Sequence, residues 1–245
     1  MVDRNTYYSS APSKSAAEID EGLRAYMLTV YNYMASALAL TGLAAYVTAN
    51  TPAMLSMLYT QQGNMLAPTM LGYIVMFSPL AFVLVINFGI NKMKSSTLQM
   101  VFWAFAVVMG LSLSNILLMY TGTSVAKTFF VTAAAFGSLS LYGYTTKKNL
   151  TGMGSFLIMG LFGIIIASIV NMFLQSSGME FIISVLGVLI FAGLTAYDTQ
   201  RIKLMYLESD GNEMASKKAI MGALSLYLDF INMFLFLLRF MGNRN

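Results

Sequence analysis

Seven stretches of this 245-residue chain stay apolar for about the thickness of a bilayer, and a soluble fold has no use for seven such runs. A hydrocarbon core about 30 Å thick takes about 20 apolar residues per helix. Residues 25–49, 66–90, 97–120, 125–145, 153–174, 180–206 and 216–241 each reach or approach that length. Apolar residues make up 58% of the chain and charged residues 10%, against about 45–50% and about 25% in soluble domains. So few charges do not cover a water-facing surface. The fold class is therefore an all-α integral membrane protein with seven transmembrane helices over 25–241. A polar tail precedes them (1–24) and a short one follows (242–245).

The first 24 residues carry acids and lack an apolar segment, so they do not read as a secretory signal. A helix is expected to begin near Ala16. The net charge of +4 raises the question of nucleic acid, but the cations lie in short clusters between apolar runs. Orientation in a membrane explains them, because Lys and Arg collect on the cytoplasmic side. With the N-terminus inside, the inner segments hold Arg4, Lys14, Arg24, Lys92, Lys94, Lys147, Lys148, Arg201, Lys203, Lys217 and Lys218. The outer side holds only Lys127, Arg239 and Arg244. The bias supports seven crossings with a cytoplasmic N-terminus and an external C-terminus. A seventh segment that re-enters would sharpen it further and is the alternative.

The chain has no cysteine and no histidine. Disulfides, thiolate metal sites, cysteine nucleophiles and the usual imidazole base are excluded together. Any proton chemistry rests on carboxylates, Tyr or Lys.

Within the spans, Pro79 predicts a kink in the second helix, and residues 50–65 form a polar, uncharged outer loop. Small residues recur four apart at Gly110 and Ser114, Ala133 and Gly137, Gly163 and Ala167, and Ala192 and Ala196. Such pairs let helix backbones approach closely in lipid. Asn87, Asn115 and Asn171 either line a water-filled path or bond between helices.

Acids are few inside the spans. Glu180 marks an outer end, Asp198 sits in the sixth span and Asp229 in the seventh. Asp229 is twelve residues past Lys217, hence about 18 Å along a helix, and Asp198 is about 14 Å from an inner end near Leu207. Two carboxylates thus approach one level from opposite directions on consecutive antiparallel helices. If they meet in a low-dielectric site they share a proton and titrate as a unit; ionised, they offer hard oxygens to Ca²⁺. The alternative is structural: Asp198 bonds Arg201 one turn on, or Thr195 and Asn232, and Asp229 is satisfied by Tyr or Asn neighbours. Intramembrane acids are functional more often than not. Lys92 and Lys94, at the inner end of the second span, either reach the acids by snorkelling or anchor the helix at the headgroups.

FAGLTAYDTQRIK at 191–203, followed by ALSLYLDFINMFLFLLRF at 223–240, resembles the transmembrane Bax inhibitor motif family, in the form of a compact bacterial member. The likeness covers the seven-span layout, and its specific part is Phe191 to Phe240. It implies six helices around a central seventh and a pH-sensitive calcium leak gated by an aspartate dyad, here Asp198 and Asp229. It implies no cofactor, only calcium as a transported or transiently bound ion. It also implies a bacterial inner-membrane location and associates such proteins with protection from cell death and with a membrane-bound quality-control protease. Some members carry an arginine at the inner end of the second helix that pairs with the dyad. Here the region reads INFGINKMKSS, with Lys92 the candidate latch, although lysine lacks the planar fork of arginine.

Two other classes of function stand beside the leak. A non-transporting regulator would act on a protease or on death signalling through helix contacts. An intramembrane aspartyl protease also places acids on consecutive helices, but its GxGD and PAL motifs are absent from this sequence.

Overall fold

The computed structural model describes residues 16–62 and 65–244, and its regular structure is almost entirely helical. The elements are α1 (Ala16–Asn50), α2 (Pro52–Leu58), β1 (Tyr59–Gln62), β2 (Met65–Pro68), α3 (Met70–Gly89), α4 (Ser95–Met119), α5 (Gly122–Thr145), α6 (Thr151–Leu174), α7 (Ser177–Met205) and α8 (Asn212–Met241). Seven of these helices, all but α2, are long and apolar enough to cross a membrane. The chain is a multi-pass membrane protein.

Helix boundaries follow local chemistry. Thr69 caps α3 by accepting from Gly72 N at 3.0 Å, Thr121 caps α5 through Ser124 N, and Ser176 caps α7 through Met179 N. Such side chains satisfy amides that a first turn leaves unpaired. Between α6 and α7 the chain turns over two residues. Gln175 takes φ 49°, and the Asn171 side chain accepts from Ser176 N at 3.0 Å. Helix α1 is described from Ala16 onward, and residues 1–15 of the polar tail, where its start would be tested, lie outside the described residues.

Two expectations need correction. The polar loop before the second span contains α2 and an antiparallel hairpin, with Tyr59 opposite Pro68. Pro68 therefore ends a strand instead of opening a membrane helix, and the span starts at Met70. Among the small-residue pairs, Gly110 does sit where α4 meets α1, since a Cβ there would collide with the Thr41 carbonyl. Gly137 and Gly163 have open space around them. The close approach of α5 to α7 is made by Gly143, whose added Cβ would strike the Ala196 carbonyl. Spacing reveals small residues but not which face meets a neighbour. Helix α3 is continuous through the buried Pro79.

The core sits around α8, which packs chiefly against α1, α4, α5 and α7. Its membrane window is 61% buried, against 6% for α6, which packs chiefly on α7 alone. Tyr227 is fully buried between Phe102 and Phe105, and its hydroxyl lies 2.7 Å from Thr41 Oγ1, which donates to Ala106 O. Helix α8 crosses the whole bundle. Near its start Glu213 accepts from Ser95 N and Oγ, both at 2.6 Å, capping α4. Past its end Asn243 and Arg244 bond to the α4–α5 junction, through Thr121 N→Asn243 O, Asn243 N→Ser124 Oγ and a bridge to Tyr120. Helix α8 thus runs from the Ser95 end of α4 to its Tyr120 end.

Candidate functional site

The two ends of α4 mark the two faces of the bundle, and the intramembrane acids lie between them. In α7 the run from Phe191 to Ile202 buries nearly every turn, including Thr195, Asp198, Thr199 and Gln200. Each of these polar side chains has a partner that explains its tolerance in an apolar helix. Thr195 and Thr199 donate back to their own helix at Phe191 O and Thr195 O. Ser140 of α5 links Thr199 to Tyr31 of α1, at 2.9 and 2.6 Å. Gln200 reaches sideways: its Oε1 accepts from Leu150 N and its Nε2 donates to Lys148 O, both at 2.8 Å. The α5–α6 connection is thus tied to α7 at a residue two positions from Asp198.

Asp198 has a charged partner. Its Oδ1 is 3.3 Å from Arg201 Nη2, one turn along the same helix. That guanidinium nitrogen also donates to Ser225 Oγ of α8 at 2.9 Å. Ser225 is four residues before Asp229, so the two share a face of α8, with Asp229 about 6 Å farther along the helix. Asp229 is 5% exposed, and its Oδ2 has no hydrogen-bond partner. A buried polar atom without a partner is costly and rare in a native fold.

Asp198 and Asp229 line one cavity of about 570 Å³ between α6, α7 and α8. Arg201, Ser225 and Asn232 join them on its polar side, and Ser168 adds a hydroxyl from α6. Asn232 donates to Leu228 O at 2.8 Å, which leaves its side-chain oxygen as an acceptor. The opposite wall is apolar and comes largely from α6, with Ile158, Leu161, Ile164, Ile165 and Ile169. Chemically the site offers two carboxylates, neutral oxygens and one cation, in a hydrocarbon frame. Among the described residues no group of three or more acidic side chains comes together to hold a metal ion.

The structure therefore brings together Asp198, Asp229, Arg201 and Asn232. It does not bring Lys92, which is exposed in the turn after α3. Helix α3 packs chiefly on α4, and the cation beside the acids is Arg201 from the next turn of α7. None of the three asparagines lines this cavity. Asn87 bonds within its own helix and Asn171 caps a turn. Sequence reasoning passed over Ser225, although its position four before Asp229 signalled it. It also passed over the α6 wall, for which an all-apolar helix carries no signal.

The protein-family model described as inhibitor of apoptosis-promoting Bax1 matches residues 23–245. The chain is 50% identical over 225 residues to the uncharacterized protein RP147 of Rickettsia prowazekii, covering 92% of each chain. It is 50% identical over 246 residues to an uncharacterized protein of Caulobacter vibrioides, covering 99% of this chain and 98% of that one. It is 43% identical over 234 residues to the inner membrane protein YbhL of Escherichia coli, covering 95% and 97%.

Proposed function

The chain belongs to the family described as inhibitor of apoptosis-promoting Bax1, and on that premise we propose that it is a pH-sensitive cation leak, calcium foremost, gated by Asp198 and Asp229. The observation that carries the reading is the shared cavity, with one carboxylate paired to Arg201 and an oxygen of the other left without a partner. Calcium takes about 6–8 oxygen ligands. Two carboxylates, Ser225, Asn232 and water supply such a shell only when Arg201 releases Asp198. The resting ion pair is then the latch, and calcium and the guanidinium compete for one carboxylate.

The sign of the pH response follows from charge. The ionised pair attracts a cation and the protonated pair does not, so flux falls as acid protonates the dyad. The Lys and Arg bias favours a cytoplasmic N-terminus, and in that orientation the dyad is reached from the cytoplasmic side. The test is calcium flux into proteoliposomes across a pH series, for the wild type and for Asp198→Asn and Asp229→Asn. The variants should lose the pH dependence. An unchanged pH profile in both variants sinks the dyad mechanism. Flux that rises with acid, in the wild type alone, makes release of Arg201 the gating step. No flux in the wild type moves the function to a non-transporting regulator of a protease or of cell-death signalling.

A further inference from the structure

The cavity that holds the acids is larger than a bare ion needs, and it is walled for a different kind of guest. Its volume of about 570 Å³ lies within the range of about 300–1,000 Å³ typical of small-molecule sites. Three of the α6 residues that line it, Ile158, Ile165 and Ile169, are also 40%, 46% and 53% exposed. A residue that both lines the cavity and faces outward on a membrane helix marks an opening toward lipid. Helix α6 leaves that opening because it packs chiefly on α7. The cavity is therefore reached sideways, from the hydrocarbon, by molecules that partition there.

Charge selects among them. Arg201 is ion-paired with Asp198, whereas Asp229 makes no ion pair among the described residues and its Oδ2 has no hydrogen-bond partner. One positive charge balances the site with Arg201 still in place, whereas a divalent ion requires Arg201 to leave. We propose that the cavity between α6, α7 and α8 binds a lipophilic monovalent organic cation from the bilayer, its ammonium head at Asp229 and its apolar body along α6. Burial of the head next to a carboxylate removes the cost of an isolated charge in a dry site, and the isoleucine wall takes up the apolar surface. Such a guest keeps the Arg201–Asp198 pair closed, so it acts as a blocker. The inference rests on the cavity being a cation site, as in the reading above, but not on calcium moving through it.

Binding is therefore measured without calcium, on the full chain in phosphatidylcholine nanodiscs, a neutral bilayer that limits nonspecific uptake of cations. The probe is radiolabelled (naphthalen-1-ylmethyl)trimethylammonium, compared with its uncharged carbon isostere, 1-(2,2-dimethylpropyl)naphthalene. The ammonium should bind saturably at one site and the isostere should bind no more than it does to protein-free discs. Asp229→Asn should weaken ammonium binding at least tenfold. Ile165→Trp, which fills the cavity and keeps both acids, should do the same. Equal binding of ammonium and isostere would reduce the site to an apolar groove and overturn the proposal. So would an unaltered affinity in Asp229→Asn, or no saturable binding at all. The ammonium and isostere comparison on the wild type decides the matter even where a variant fails to fold. Ammonium binding with no calcium flux would sink the leak and leave this site standing.

Discussion

Replacing Gln200 by methionine keeps the volume of the side chain and removes both of its hydrogen bonds. Gln200 is 8% exposed and Leu150, whose amide it satisfies, is 6% exposed. In the variant the Leu150 N–H is left in a dry position, because its partner was the Gln200 Oε1 at 2.8 Å. A buried donor without an acceptor costs about 1–3 kcal/mol, and an ordinary hydrogen bond contributes about 0.5–1.5. The Lys148 carbonyl lies in an exposed connection and regains water, so its share is at the low end. The sum is about 1.5–3.5 kcal/mol. At about 2–4 °C per kcal/mol for a chain of this size, the melting temperature should fall by about 3–14 °C. The assay is thermal unfolding of the detergent-solubilised protein followed by circular dichroism, with Gln200→Ala beside it to separate the hydrogen bonds from lost volume. The alanine variant should fall at least as far as the methionine one. A methionine variant within about 2 °C of the wild type would refute the reasoning, since the hydrogen bonds would then contribute nothing measurable on the scale used.

Two further outcomes follow from particular contacts. Gly143→Val should sharply reduce the yield of monodisperse protein on size exclusion, because a Cβ there meets the Ala196 carbonyl backbone to backbone, while Gly137→Ala, with open space around it, should stay within about 0.5 kcal/mol of the wild type. Orientation is read with single cysteines in a chain that has none of its own: Lys148→Cys should resist an impermeant maleimide added outside intact cells and Asn243→Cys should react with it, the reverse pattern refuting a cytoplasmic N-terminus.

Span number and the positions of the acids were legible in the sequence because both are written in composition along one line. A run of about 20 apolar residues needs no partner to be recognised, and Asp198 and Asp229 stand out against such runs whatever surrounds them. Arg201 and Asn232 were readable for a similar reason, since a helix places residues three and four apart on one face. What failed to show was everything settled by the neighbour. Gly137 and Gly143 look alike in sequence, and only the placement of α7 makes one a contact and the other a gap. Gln200 is bonded to backbone atoms about 50 residues away, which carry no side-chain signature. The hairpin from Tyr59 to Pro68 was hidden because its hydrogen bonds join main-chain groups in a stretch without strong alternation. Lys92 was named for its place at the inner end of the second span, which supplies a position along the chain and no direction across the bundle.

The contrast between α6 and α8 bears on how the chain is made. Spans enter the membrane in the order of their synthesis. Helix α6 emerges before its chief partner α7, and it is suited to wait alone in lipid, with no charged residue between Thr151 and Leu174. Helix α8 is synthesised after the other six. It carries Asp229 and, among the seven, the largest buried share, so a bilayer offers it no comfortable solitary state. Its Ser225 accepts from Arg201 only when a slot lined by α1, α4, α5 and α7 already exists. The order of the spans thus acts as an assembly schedule, in which the segment least able to survive unaccompanied is delivered once its companions are in place.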